Sequence, residues 1–122
     1  MIKFETIYEG TTFLGAEIAF LEDEITPIIV EGKDVQMHIK RKGDPEIVLS
    51  YTTANGKLDT QENKIIIPEH IPALEFGKYE FDFNIKFSDT TIETGVARGE
   101  WEILNPITAW GLWEGVEENL VF

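Results

Sequence analysis

The sequence has no cysteine among its 122 residues, which excludes disulfide bonds and thiolate metal sites. Its apolar runs are short, and none approaches the length of about 18 residues that a membrane-spanning helix needs. The N-terminus lacks the apolar segment of a signal peptide and carries an acidic residue, Glu5, early on. We therefore expect a soluble protein that is made in the cytoplasm and has no membrane partner.

Basic residues are also scarce: 10 lysines and arginines stand against 23 aspartates and glutamates, for a net charge of −13. Such a charge repels phosphate backbones within the screening length, so nucleic acid is not an expected partner. The acidic surface has two interpretations. It keeps an aromatic-rich β protein soluble and its strand edges unpaired, which we favour, or it attracts a basic surface.

The strongest pattern is an uninterrupted alternation of apolar and polar residues over positions 78–88. A period of two is typical of a half-buried β-strand. One face of this strand carries Tyr79, Phe81, Phe83, Ile85 and Phe87. Burial of each such side chain contributes about 1.5–3 kcal/mol to the free energy of folding. To be buried, the five side chains need an apolar layer that packs against them. The pattern therefore predicts a strand in the middle of a sheet.

Shorter alternating segments flank this strand, with turn signals about every eight to twelve residues. Residues 2–8 and 12–21 are predicted strands, the second with Leu14, Ala16 and Ile18 on its buried face. No segment before residue 108 has the pattern of a long helix. The sequence predicts an all-β domain over residues 1–108, an immunoglobulin-like β-sandwich of about seven to eight strands, with a closed barrel as the alternative.

Two local features refine this prediction. Positions 74–79 have the layout of a tyrosine corner, in which a tyrosine near the start of a strand hydrogen-bonds to the backbone a few residues upstream. Alternatively, Tyr79 is only the first inward residue of its strand. Gly95 and Gly99 lie within the following strand, where glycine predicts a bulge or a bend.

Residues 109–122 form a separate, short C-terminal tail rich in aromatic and acidic residues, in which the period of two is lost. Some of its apolar residues have helical spacing, although glycines weaken such a helix. Exposed aromatic patches of this size are uncommon on monomers, so the tail is expected to dock on its own domain or on a neighbour. The predicted protein interface consists of Trp110, Trp113, Val116, Leu120 and Phe122.

Patterns specific for catalysis are absent from the sequence. There is no G-x-S-x-G nucleophile motif and no glycine-rich phosphate loop. Glu80 and Asp82 share the outward face of the central strand, a spacing that could flank a sugar, but among 23 acidic residues such pairs arise by chance. We therefore expect no enzyme activity, no catalytic residue and no cofactor.

Metal and anion sites are not expected either. His38 and His70 lack a second ligand at metal spacing, and there is no cysteine. The acidic loop at positions 22–24 lacks the spacing of a calcium loop and is expected to be a solvated turn. The basic cluster at positions 40–42 precedes a strong turn and is expected to solvate a hairpin tip instead of binding an anion.

Three segments, taken in order, resemble a family of small phage proteins. They are Val35-Gln-Met-His-Ile-Lys-Arg-Lys42 leading into Glu46-Ile-Val-Leu-Ser50, then positions 77–87, then positions 99–108. With positions 21–29 they follow the order seen in the immunoglobulin-like N-terminal module of the baseplate upper protein of tailed phages and in related short prophage proteins. The resemblance covers most of residues 10–108.

This resemblance implies a non-enzymatic structural component of a phage or prophage particle, in the tail or baseplate. Such a component assembles with other virion subunits and with copies of itself in the cytoplasm of the bacterial host. The aromatic tail stands where the baseplate protein continues into a long downstream region. The alternative function is an immunoglobulin-like carbohydrate-binding or adhesion module, which would need an exposed aromatic platform on a strand face.

Overall fold

The computed structural model describes residues 1–106, and within them the fold is all-β, as predicted. The eleven strands are β1 (Ile2–Lys3), β2 (Ile7–Tyr8), β3 (Ala16–Ala19), β4 (Leu21–Glu22), β5 (Thr26–Pro27), β6 (Asp34–Arg41), β7 (Ile47–Thr52), β8 (Asp59–Gln61), β9 (Lys64–Ile67), β10 (Gly77–Ser88) and β11 (Thr91–Leu104). This exceeds the predicted seven to eight, because the first predicted strand is split into β1 and β2, the second into β3 and β4, and β8 forms in a polar segment.

The larger sheet has the order β1-β11-β10-β6-β7, and β2 also pairs with β11. β10 therefore lies between two neighbours, as its alternating sequence predicts. It runs antiparallel to both β6 and β11, whereas β1 and β2 run parallel to β11. The N-terminal segment is thus held against the last strand of the domain.

The smaller sheet has the order β3-β9-β8. Its inward side chains include Ile18 on β3 and Ile65 and Ile67 on β9, all of them buried. They belong to the same hydrophobic core as the inward side chains of the larger sheet. The two sheets therefore share one apolar layer, which is the opposing layer that the β10 side chains require.

Aromatic rings fill the centre of this core. Phe81 of β10 stacks on Phe4 with ring centroids 4.5 Å apart, and Phe4 meets Trp101 of β11 edge to face at 5.2 Å. Phe13 packs against both Phe4 and Trp101. Of the five inward residues predicted for β10, four are buried, and Phe87, near the end of the strand, is half-buried. Offset and edge-to-face ring pairs of this kind stabilise the fold beyond the contribution from burying their apolar surface.

The alternation predicted for residues 12–21 is wrong at its start. Phe13 is 2% exposed and Leu14 is 70% exposed, the reverse of the prediction. The cause is Gly15, whose φ of +96° is outside the strand region, and whose hypothetical Cβ would lie 2.6 Å from the carbonyl oxygen of Ile67. Gly15 thus brings the backbone close to β9 and resets which side chains point inward.

The two glycines of β11 have different roles. The register with β10 shifts between the pairs Phe83–Ala97 and Ile85–Glu93, and Gly95 lies in the bulged segment with a φ of +61°. The predicted bulge is therefore confirmed at Gly95. Gly99 instead stays in register opposite Phe81, and a Cβ there would collide with the Phe81 ring and with the carbonyl oxygen of Ile2. Gly99 marks a close approach, not a bend.

The predicted tyrosine corner is confirmed. The Tyr79 hydroxyl donates a hydrogen bond of 2.7 Å to the carbonyl oxygen of Glu75, four residues upstream. The Tyr79 ring is also the first buried one of β10, so both interpretations of this residue hold. The guanidinium carbon of Arg41 lies 5.2 Å from the centre of the ring. These contacts fix the crossover where the chain enters the central strand.

We predict that Phe83→Ala lowers the free energy of unfolding by about 3–5 kcal/mol, because it removes a fully buried ring and leaves a cavity. Urea denaturation checks this. The exposed Ile92→Ala serves as the control and should change stability by no more than about 0.5 kcal/mol. Equal effects of the two variants would contradict the placement of β10 at the core.

A second prediction concerns the corner. Tyr79→Phe keeps the ring but removes the hydrogen bond to Glu75, so we expect a loss of about 0.5–1.5 kcal/mol in the free energy of unfolding. Tyr8→Phe, at a half-exposed tyrosine, is the matched control. If both variants are as stable as the wild type in urea, the corner makes no net contribution.

Candidate functional site

The predicted interface residues lie outside the described part of the chain. They are Trp110, Trp113, Val116, Leu120 and Phe122, and the same holds for the whole tail of residues 109–122. Their role remains a prediction. Within residues 1–106, the surface with the most organised polar groups is the outward face of the larger sheet.

Strand register arranges the charges of this face in two rows. They are His38–Asp82–Arg98 and Lys40–Glu80–Glu100, each with a residue of β10 between one of β6 and one of β11. A shallow groove of about 470 Å³ runs over both rows and is bordered by Met1 and Ile47. Glu80 and Asp82 share this face, as predicted, and each has a basic or imidazole side chain as a cross-strand neighbour.

This arrangement determines what the face can bind. Neither row contains phenylalanine, tyrosine or tryptophan, and Phe81, which also lines the groove, is only 3% exposed, so little ring surface is open to a sugar. The face carries cations and anions side by side, which suits a partner surface that carries both signs. The histidine at position 38 is half-buried and lies opposite Asp82 and Ser50.

The basic cluster at positions 40–42 is engaged by neighbouring groups. Arg41 donates a hydrogen bond of 3.2 Å to the carbonyl oxygen of Phe76 and lies 3.4 Å from the Glu75 carboxylate. Lys42 lies 3.3 Å from Glu100. These ion pairs are solvent-exposed and so contribute little stability. The contacts of Arg41 and Lys42 connect the hairpin between β6 and β7 to the segment before β10 and to β11.

His70 has a structural role that sequence analysis missed. Its Nδ1 lies 2.7 Å from the carbonyl oxygen of Pro68, which can only accept, so Nδ1 carries the proton. Its Nε2 then accepts a hydrogen bond of 2.6 Å from the Tyr51 hydroxyl. The backbone of His70 also pairs with Phe13. A histidine flanked by prolines in a crossover is the only sequence signal, and it does not reveal a partner on β7.

Two tyrosines have a raised pKa, and the hydroxyl of each takes part in a hydrogen bond within the domain. Burial raises the pKa of Tyr51 to about 12. Burial also raises the pKa of Tyr79, with the Arg41 guanidinium acting in the opposite direction and the Glu75 and Glu9 carboxylates reinforcing the increase. Because each hydroxyl already has a hydrogen-bond partner in the core or at the corner, neither is positioned to act on a substrate.

The acidic segment at positions 22–24 covers the end of β4 and the first two residues of the turn to β5. Asp23 has a φ of +48°, and its carboxylate accepts a hydrogen bond of 3.2 Å from the backbone N–H of Thr26. Among residues 1–106, no group of three or more histidine, aspartate or glutamate side chains is placed to hold a metal ion. The same part of the chain has no helix that could cross a membrane.

Comparison with known proteins leaves the family of this chain open. No family model matches the sequence, and searches of curated proteins and of solved structures found no match. The function therefore has to be argued from the residues and the fold.

The raised pKa of Tyr51 predicts a specific alkaline instability. The unfolded state loses the phenol proton near pH 10 and the folded state near pH 12, so the stability from neutral Tyr51 is complete below pH 10 and falls between pH 10 and 12. Tyr51→Phe should flatten this fall relative to the wild type in urea denaturation at each pH. Tyr8→Phe should keep the wild-type slope, and an unchanged slope in Tyr51→Phe would contradict the prediction.

Proposed function

We propose that the fold is an immunoglobulin-like β-sandwich. Three features support this: the sheet order β1-β11-β10-β6-β7 against β3-β9-β8, the parallel pairing of the N-terminal strands with the last strand, and the tyrosine corner at the start of β10. β1 and β2 form one interrupted edge of the larger sheet, since both pair with β11. A closed barrel fits less well, because β7 and β8 are not paired with each other.

We further propose that the protein is a non-enzymatic structural component of a phage or prophage particle, in the tail or baseplate. It acts by assembly with other virion subunits and with copies of itself. The observation that carries this proposal is the outward face of the larger sheet, which has registered charges of both signs and no phenylalanine, tyrosine or tryptophan in either row. The resemblance of the ordered strand segments to the baseplate module supports the same function.

The alternative function is a carbohydrate-binding or adhesion module. It needs an exposed aromatic platform, which the outward face of the larger sheet does not have. The two half-exposed aromatic residues in the described part of the chain are Tyr8 and Phe76, and both lie at the ends of strands. Sugar recognition typically uses rings that lie flat along a groove. A glycan array with the wild-type protein separates the two functions, since specific binding of any glycan would favour the alternative.

The assembly proposal predicts that the tail tryptophans are needed for self-association. Trp110→Ser/Trp113→Ser in the full chain should lower the molar mass in light scattering, because two large apolar side chains leave the contact. A protein that ends at Thr108 should fold and show the same loss.

The control for this experiment removes apolar side chains elsewhere. Ile25 and Ile92 are highly exposed, and Ile25→Ser/Ile92→Ser should keep the wild-type mass. An unchanged mass in the tryptophan variant would count against the tail as the assembly element.

A further inference from the structure

The outward face of β6, β10 and β11 carries as many basic as acidic residues, although the whole chain has a net charge of −13. The acidic ones are Asp34, Glu80, Asp82, Glu100 and Glu102, and the basic ones are Lys40, Lys42, Lys78, Lys86 and Arg98. Charges of both signs also lie at its borders, namely Lys3 beside Glu100, Glu46 before β7 and Asp89 after β10. Two copies can therefore meet at this face without the repulsion that the rest of the chain would impose.

The outward residues of β6 and β10 complement each other along the two strands. From one end to the other, the cross-strand neighbours are Asp34–Lys86, Gln36–Asn84, His38–Asp82 and Lys40–Glu80. Three of these matches join an acidic side chain to a basic one or to an imidazole, and one joins two amides. Among residues 1–106 the members of each match form no ion pair with each other, and Lys86 instead lies 3.8 Å from Asp89. Both strands therefore present these groups to a partner.

A two-fold axis parallel to the strands and midway between β6 and β10 makes use of this complementarity. The rotation lays β6 of each copy over β10 of the other and leaves the height along the strands unchanged. Each residue of β6 then faces the partner's copy of its own cross-strand neighbour, so Lys40 faces the partner's Glu80 and Asp34 faces the partner's Lys86. Because the axis is two-fold, each of these contacts forms twice.

Other positions of the axis match the charges less well. An axis over β10 places Glu80 against the partner's Glu80. An axis midway between β10 and β11 places Glu80 against the partner's Glu100, since these two residues are paired in register. The β6–β10 position has one opposed match, Lys42 against the partner's Lys78, and Lys42 is held 3.3 Å from Glu100 of its own chain.

The spacing of facing sheets suits this contact. Two sheets packed face to face lie about 10 Å apart, a gap that a lysine and a glutamate reaching from opposite sides can close. The groove of about 470 Å³ on this face leaves room for the partner's Lys40. At the flanks β7 lies over the partner's β11, so Ser50 faces the partner's Arg98 and Ile47 faces the partner's Glu100. These flanking contacts add no pair of like charges.

We propose that the outward face of β6 and β10 binds the same face of a second copy of this chain, with Lys40 on the partner's Glu80 and Asp34 on the partner's Lys86. The contact rests on the assembly function proposed above and names its surface and its partner. Like charges that meet across an interface cost far more than exposed ion pairs contribute, so charge reversal is the sharpest probe of this contact.

Light scattering of full-length charge-reversal variants tests the contact. Lys40→Glu places glutamates opposite each other and Glu80→Lys places lysines opposite each other, so each variant alone should fall towards the mass of a single 13.9 kDa chain. The double variant Lys40→Glu/Glu80→Lys restores both matches and should regain the wild-type mass. An equimolar mixture of the two single variants should regain it too, because every acidic position then faces a basic one.

Two control variants separate this contact from an effect of net charge. Lys57→Glu and Glu69→Lys make the same changes of charge at exposed positions outside the face, and both should keep the wild-type mass. An equal fall in mass with these controls would overturn the proposal.

The remaining outcomes separate this contact from the assembly function. If the two single variants keep the wild-type mass, the face is not the contact, and the assembly function stands on the tail variant. If the wild type is a single chain at every concentration, self-association fails together with this contact. If the mixture stays at the mass of single chains while both variants retain the wild-type thermal melting profile, the proposed pairing is overturned.

A second pair of positions keeps the test decisive if a variant at position 40 or 80 does not fold. Asp34 and Lys86 are exposed, and Asp34→Lys and Lys86→Asp reverse the charges at the other end of the same contact. Each variant alone should lower the mass, and their equimolar mixture should restore it. Unchanged masses for both single variants would overturn the proposal.

Discussion

The close approach of β10, β11 and β1 at Gly99 is the constraint on which the larger sheet depends. At this position the Phe81 ring lies over a backbone without a side chain, while Ile2 pairs with the same residue from the other side. The Phe81 ring can then stack on Phe4, which Trp101 contacts in turn. A side chain at position 99 would push β10, β11 and β1 apart. The aromatic core and the N-terminal edge of the larger sheet therefore both depend on this glycine.

The same register that builds the core also sets the charge pattern of the outer surface. Because Phe81 and Phe83 point inward, Glu80 and Asp82 point outward, where Lys40 lies beside Glu80 and Arg98 beside Asp82. The face is therefore mostly polar, with Met1 and Ile47 at the border of its groove. A fold that presents charges of both signs on a rigid sheet is suited to contacts between proteins, and it leaves the tyrosines with raised pKa in the interior.

Sequence analysis predicted the features that depend on local chemistry. The alternation of β10, the bulge at Gly95 and the corner at Tyr79 each follow from residues within a few positions of one another. The inward direction of the Phe13 side chain was mispredicted. It depends on the positive φ of Gly15, which lies against the backbone of β9, about fifty residues away in the chain. The partners of His70 and the strand β8 in a polar segment were likewise missed, since they depend on residues that are distant in the chain.

The parallel pairing of β1 and β2 with β11 joins the two extremities of the domain. Ile2 pairs with Gly99, and the Trp101 indole N–H donates to the carbonyl oxygen of Glu5, 96 residues earlier. Contacts of such long sequence separation slow folding, because loop closure precedes any gain from the contact. On the ribosome, the N-terminal segment has no pairing partner until β11 has emerged, so a nascent chain leaves the Phe4 side of its core uncovered until then.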